Sequence, residues 1–109
     1  MSEGPAPRFA DVAFNLPAAG AFTYAIGENE GCRIGARVSA PFGRRTLVGF
    51  VVGAHVAAPE GGYSIRTIDR VIEGEPLFDE SYLALARWVA GMYICSLGEA
   101  LASMLPGGR

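Results

Sequence analysis

Arginine supplies every basic side chain of this sequence, because the chain contains no lysine. Residues 32–72 hold six arginines against two acidic residues, which gives this stretch a net charge of +4. These arginines are Arg33, Arg37, Arg44, Arg45, Arg66 and Arg70. Guanidinium groups bind phosphate through paired hydrogen bonds, so the asymmetry predicts an electropositive face. Solvated strand faces would give the same pattern, and the net charge of −2 for the whole chain argues against generic nucleic-acid binding.

No arrangement of residues in the sequence indicates catalysis. A phosphate-binding loop of the nucleotide-hydrolysing kind requires a lysine, which the chain lacks. His55 is the only histidine, and no nucleophile elbow accompanies it. Asp79 and Glu80 are adjacent carboxylates, but they suit the cap and first turn of a helix better than acid–base chemistry. We therefore predict that this chain has no catalytic residue and is not an enzyme by itself.

The two cysteines, Cys32 and Cys95, lack the spacing of a zinc site, and we expect both to be reduced, buried thiols. We expect no metal and no cofactor in this domain. The first seven residues do not resemble a signal peptide, and no apolar run approaches the roughly 18 residues of a membrane span. We therefore expect a cytoplasmic monomer without membrane contact.

The length of 109 residues suggests a single domain over residues 1–109. Residues 1–7 are predicted to be a flexible leader, 8–74 a strand-rich part and 79–105 a helical part. Four strands are predicted, over residues 8–16, 21–26, 33–40 (ended by Pro41) and 46–55. Apolar residues alternate along the first two, as in half-buried strands. The last is apolar on both faces and should be central, and its glycines Gly49 and Gly53, predicted to share one face, should mark close backbone approach.

The second half of the chain changes from strand patterns to helical ones. Residues 65–72 are predicted as a strand, although their isoleucines also fit helical spacing. Helices are expected from Asp79 to about Tyr93 and over residues 97–104. Trp88 and Tyr93 suit either core packing or a stacking platform, and core packing is the commoner outcome. The predicted fold class is α+β, with a small, strand-rich, β-barrel-like subdomain followed by two C-terminal helices.

Several segments, read in order, resemble a known family. They are Val12–Pro17, Phe22–Tyr24, Gly35–Arg45, Gly49–Val52, Ile65–Glu73, Trp88–Tyr93, Leu97–Leu101 and Leu105–Pro106. Their order and spacing are similar to the N-terminal domain of the primosomal protein N′ (PriA) family of replication-restart helicases. Each segment alone is weak evidence, whereas the ordered set covers residues 9–109 and is fairly specific.

The resemblance implies a pocket for the 3′-terminal nucleotide of the nascent leading strand at a stalled replication fork. The residues that it implies for DNA 3′-end binding are Phe22, Thr23, Tyr24, Phe42, Gly43 and Arg66. Arg44 and Arg45 are candidate phosphate contacts. Where some relatives carry an aspartate that accepts from the 3′-hydroxyl, this chain has Thr23, which lacks the charge. Phe22 and Tyr24 could equally serve as core residues at alternating strand positions.

The resemblance also implies that this domain is a fragment of a longer ATP-dependent 3′-to-5′ DNA helicase. ATP, Mg and Zn are expected only in the remainder of that protein. The expected partners are single-stranded or forked DNA with a free 3′-hydroxyl, single-strand-binding protein and other primosome proteins. A first alternative function is a protein-docking module that tethers the helicase to replication partners such as single-strand-binding protein. A second is an unrelated small barrel that binds RNA.

Overall fold

The computed structural model describes residues 6–17, 20–59, 65–72 and 75–105. Five strands are followed by two helices, which confirms the α+β prediction. The strands are β1 (Phe9–Phe14), β2 (Phe22–Ala25), β3 (Arg37–Phe42), β4 (Arg45–His55) and β5 (Arg70–Val71), and the helices are α1 (Glu80–Tyr93) and α2 (Leu97–Met104). The predicted leader, residues 1–7, lies mostly outside the described residues.

The strands form one antiparallel sheet in the order β2-β1-β4-β3-β5, with β4 in the centre as predicted. The sheet is not closed, so it resembles a barrel only in its curvature. Residues 65–72 connect the two edges of the sheet. At one edge the Ala25 N–H of β2 donates to Arg66 O at 2.9 Å, and at the other β5 pairs with β3. Because this segment leaves β2 to reach β3, only two residues form a strand, and the predicted strand over 65–72 was too long.

Two hydrophobic cores lie on opposite faces of this sheet. The first, which we call the inner core, lies where the sheet curls, and it includes Val12, Phe14, Tyr24, Val38, Val51 and Ile68. The second, the helix core, lies under α1 and α2 and includes Ala13, Phe50, Val52, Leu83, Ala86 and Leu101. Successive side chains of β1 point to opposite faces, so Val12 lies in the inner core and Ala13 in the helix core.

A β-bulge in β4 changes which face its residues occupy. Asp11 pairs with Gly53 and Val12 pairs with Val51, so Val52 is an extra residue that reverses the alternation. Gly49 consequently faces the inner core, where an added Cβ would lie 2.6 Å from Val12 Cγ1. Gly53 faces Asp11 on the opposite side. The predicted close approach at Gly49 is confirmed, but the prediction that both glycines share one face was wrong.

Strand β3 begins four residues later than predicted, at Arg37, and continues two residues beyond its predicted end at Ala40, through Pro41 to Phe42. Pro41 pairs with Thr46 and Phe42 with Arg45, around a two-residue turn. Since Phe42 and Arg45 close the turn, the next pair is a non-hydrogen-bonded one, and the missing N–H of Pro41 costs the ladder nothing. Gly43 has a φ of +62° at the first turn position, which glycine adopts without strain.

Both helices begin at well-formed caps. The Asp79 carboxylate accepts from the Tyr82 N–H at 2.9 Å, as predicted. Ser96 and Glu99 form a reciprocal capping box on α2, and the Ser96 hydroxyl also donates to Leu16 O at 2.6 Å. Ser96 therefore ties α2 to the end of β1 in addition to starting the helix.

The apolar stripe of α1 is only partly buried. Leu83 and Ala86 face the helix core, whereas Trp88 is 61% exposed and Tyr93 72% exposed. Core packing was the wrong expectation for these two aromatic residues. Neither helix in the described part of the chain has the length and apolar character needed to cross a membrane.

The two cysteines are free thiols in different surroundings. Cys32 is buried in the inner core, and burial raises its pKa to about 11. Cys95 is only half-buried, so the prediction of buried thiols holds for one of the two.

Candidate nucleic-acid interface

Four aromatic rings meet where β2 approaches the β3–β4 hairpin. Phe22 lies 5.2 Å from Phe42 between ring centroids, and Phe14 lies 5.3 Å from Phe42 and 6.2 Å from Tyr24. Phe14 and Tyr24 are buried in the inner core, whereas Phe22 is 37% exposed. The period of two along β2 places Phe22 and Tyr24 on the same face. Phe22 therefore presents a supported aromatic surface to solvent at the edge of the sheet.

Tyr24 and Arg66 tie this aromatic group to the hairpin. The Tyr24 hydroxyl donates to Pro41 O at 2.6 Å, and Arg66 Nη1 donates to Gly43 O at 2.8 Å. Burial raises the pKa of Tyr24, and the nearby Arg66 guanidinium acts in the opposite direction. The tyrosine thus remains a neutral donor at physiological pH, while the exposed arginine keeps donors available for another partner.

The structure brings together five of the six predicted 3′-end-binding residues. We call this group the β2 edge site: Phe22, Tyr24, Phe42, Gly43 and Arg66. An added Cβ at Gly43 would meet no heavy atom within 4 Å, so its backbone is openly accessible. The predicted phosphate contacts, Arg44 in the turn and Arg45 at the start of β4, directly follow Gly43 and are exposed. Three guanidinium groups are therefore associated with one hairpin turn, which suits it to bind phosphate.

Thr23, the sixth predicted residue, presents its side chain on the other face of β2. Its hydroxyl donates to Asp11 Oδ1 at 2.7 Å, across the β1–β2 pair. The backbone groups of Thr23 point along the plane of the sheet, away from β1. Ala25 directs its N–H and C=O toward residues 66–68, and Thr23, two residues earlier in the strand, directs its own to the same open side of β2. Thr23 therefore contributes edge backbone groups beside Phe22.

Asp11 and His55 join Thr23 in a polar cluster that the sequence analysis did not identify. His55 Nε2 lies 3.1 Å from Asp11 Oδ1, and its Nδ1 lies 3.0 Å from Ala57 O. Both ring nitrogens thus face acceptors, which only the protonated imidazole satisfies in full. The hydrogen bond to Asp11, followed by that to Ala57, raises the pKa of His55. The cluster follows from the register in which β1 pairs with β2 and β4, and that register cannot be inferred from the sequence.

The raised pKa of His55 predicts a pH-dependent stability. A folded-state pKa above the unfolded value contributes stability that is fully present below about pH 6.5 and is lost as the pH rises through the folded pKa. At low pH we expect the free energy of unfolding of wild type to exceed that of His55→Gln by less than about 1 kcal/mol more than at high pH. The effect is small because the side chain is 36% exposed. Urea unfolding at about pH 5 and pH 8.5 measures the difference. If wild type and His55→Gln differed in free energy of unfolding by the same amount at both pH values, the expectation would be contradicted.

Comparisons with known proteins agree with one another. The profile of a PriA family described as "3′ DNA-binding domain (3′BD)" matches residues 11–106. The replication restart protein PriA of Treponema pallidum is 43% identical over 102 residues, which cover 88% of this chain and 16% of that protein. The replication restart proteins PriA of Bacillus subtilis and Haemophilus influenzae are 30% and 28% identical, over 68% and 87% of this chain. The chain spans only 9% and 13% of those two relatives.

Proposed function

Since this chain belongs to the family of PriA 3′ DNA-binding domains, we propose that it recognises the 3′-terminal nucleotide of the nascent leading strand at stalled replication forks. The observation that carries this proposal is the β2 edge site, in which an exposed ring, accessible backbone and a cation lie together. A strand terminus presents a base, a flanking phosphate and a free hydroxyl. The site offers a matching group for each of them.

The terminal base is proposed to stack on Phe22. Every base has a π-face, so such stacking tolerates any sequence. The outward N–H and C=O of Thr23, together with the Gly43 backbone, provide hydrogen bonds to the base or sugar. An internal nucleotide continues on both sides and would run against the hairpin, which favours a chain end over the middle of a strand.

The flanking phosphate is assigned to Arg66, with Arg44 and Arg45 beside it. Arg66 already donates Nη1 to Gly43 O, so its guanidinium is oriented before DNA arrives. Only one or two phosphates would be contacted, and the logarithmic salt slope should therefore be shallow, about −0.7 to −1.4 for single-stranded DNA.

The wider role is proposed from the relatives' names. The chain would serve as the DNA-binding module of a longer replication-restart protein that assembles the primosome in the cytoplasm. The ATP-dependent 3′-to-5′ helicase activity, with its ATP, Mg and Zn, would belong to other parts of that protein. The module itself would act as a monomer on single-stranded or forked DNA, without catalysing a reaction.

The test compares a linear single-stranded oligonucleotide carrying a 3′-hydroxyl with a circular oligonucleotide of the same sequence. Fluorescence anisotropy should show at least about tenfold tighter binding to the linear strand, since one good stacking or charged contact is worth that much. Equal binding would reduce the DNA contact to arginine electrostatics. A matched RNA strand separates this function from that of an RNA-binding barrel, which would prefer the 2′-hydroxyl.

A second candidate function is a docking module for replication partners such as single-strand-binding protein. It is favoured by the exposed apolar residues along α1 and at its C-cap, which are Leu85, Trp88, Met92, Tyr93 and Ile94. Exposed apolar groups of this number often mark protein contacts. Absence of binding to both oligonucleotides, together with binding to single-strand-binding protein, would favour this function over the first.

A further inference from the structure

We propose that Asp11 is a positioning residue that fixes the Thr23 hydroxyl as an acceptor for the terminal 3′-hydroxyl. This inference rests on the proposed function and deepens it, because it names the groups that distinguish a hydroxyl end from other ends. The starting observation is the 2.7 Å hydrogen bond from Thr23 Oγ1 to Asp11 Oδ1.

The direction of that hydrogen bond follows from the chemistry of its two partners. An ionised carboxylate can only accept, so the proton between the two oxygens belongs to Thr23. The hydroxyl has thereby used its single donor. Its remaining lone pairs can only accept, and the adjacent negative charge makes the oxygen a better acceptor than a free threonine hydroxyl.

The carboxylate is held in place from two further sides. His55 Nε2 lies 3.1 Å from the same oxygen, Asp11 Oδ1. On the other side Asp11 lies over Gly53, where an added Cβ would be 2.6 Å from Oδ2. Glycine at this position therefore leaves the space that the carboxylate occupies. Asp11 and Thr23 are also directly paired residues of β1 and β2, so their separation is fixed by the ladder.

This arrangement discriminates between strand ends by their hydrogen-bonding capacity. A 3′-hydroxyl donates to Thr23 Oγ1. A 2′,3′-dideoxy end offers no donor, and a 3′-phosphate brings negative charge and acceptors toward an acceptor beside a carboxylate. Because β2 is an edge strand, a terminal nucleotide at the edge can reach Phe22 on one face and Thr23 Oγ1 on the other. The charge that Thr23 lacks thus comes from the neighbouring strand.

The experiment measures binding of this chain to three oligonucleotides that differ only in a 3′-hydroxyl, 2′,3′-dideoxy or 3′-phosphate end. The proteins are wild type, Thr23→Val, Thr23→Ser and Asp11→Ala. Wild type and Thr23→Ser should prefer the hydroxyl over the dideoxy end by about five- to tenfold, the value of one good hydrogen bond. Thr23→Val and Asp11→Ala should reduce the preference to about twofold or less, with the phosphate end recovering most in Asp11→Ala. The ratio of two affinities is independent of the folded fraction, so partial unfolding of a variant does not change it.

Two results would overturn the inference. The first is an unchanged hydroxyl preference in Asp11→Ala and Thr23→Val. The second is a wild type that prefers linear to circular DNA but binds hydroxyl and dideoxy ends equally, in which case the proposed function stands and the role of Asp11 does not. If wild type shows no preference for linear DNA, the proposed function itself fails, and this inference fails with it.

Discussion

Gly98→Ala is expected to destabilise the domain by about 3 kcal/mol or more, a large part of the stability of a domain this small. An added Cβ at Gly98 would overlap the carbonyl oxygen and carbon of Phe14. Both are backbone atoms of β1, at a residue paired with Gly49 of β4, so they cannot move away as a flexible side chain could. The methyl group would push α2 away from β1 and open the helix core around Leu101. Urea unfolding should show a markedly lower midpoint.

Gly91→Ala is the matched control, because Gly91 also lies in a helix. An added Cβ there meets no heavy atom within 4 Å. Alanine should therefore stabilise α1 by up to about 1 kcal/mol, the difference in helix propensity. The two identical substitutions are expected to have opposite signs. Similar effects at both positions would mean that α2 does not pack on β1 as closely as the structure has it.

Gly98 also shows what the sequence can reveal and what it cannot. The resemblance includes Gly98, between Leu97 and Glu99, but the segment by itself gives no reason for a glycine inside a helix. The reason is a contact with Phe14, which is distant in the sequence. Local signals, in contrast, were sufficient for the helix start at Asp79, because a cap depends on groups within one turn.

The strands were predictable where their alternation was regular. β1 and β2 lie within one or two residues of their predicted ends, and the central place of β4 followed from its apolar character on both faces. The bulge at Val52 was not predictable, because the extra residue is defined only by pairing with β1. Proline normally predicts a strand end, but Pro41 lies in a non-hydrogen-bonded pair, where its missing N–H does not interrupt the strand.

The candidate site was predictable as a set of residues but not as a geometry. Phe22, Tyr24, Phe42, Gly43 and Arg66 come from three different segments, and the resemblance alone grouped them. The alternation of β2 already implies that Thr23 faces away from its neighbours. Its partner Asp11 depends on the β1–β2 register and could not be inferred. The exposure of Trp88 was also unpredictable, since an apolar stripe does not say what covers it.

Phe22→Ala is expected to weaken binding to a strand with a 3′-hydroxyl end by about 5- to 150-fold, which corresponds to about 1–3 kcal/mol for a stacked base. Phe22 is the exposed member of the aromatic group, so its removal should affect the ligand more than the core. The loss should appear equally for any terminal base, because stacking does not read sequence. Fluorescence anisotropy with four oligonucleotides that differ in their last base measures both the size and the uniformity of the effect.

Phe22→Tyr keeps the ring and should bind within about threefold of wild type, which separates stacking from any change in strand pairing. Phe42→Ala offers the contrast. Phe42 packs against Phe14 at 5.3 Å and supports the inner core, so its loss should lower both the stability and the affinity. If Phe22→Ala lowered the unfolding midpoint as much as Phe42→Ala while affinity per folded molecule stayed constant, Phe22 would be a core residue. The base would then have to be held by Arg66 and the edge backbone.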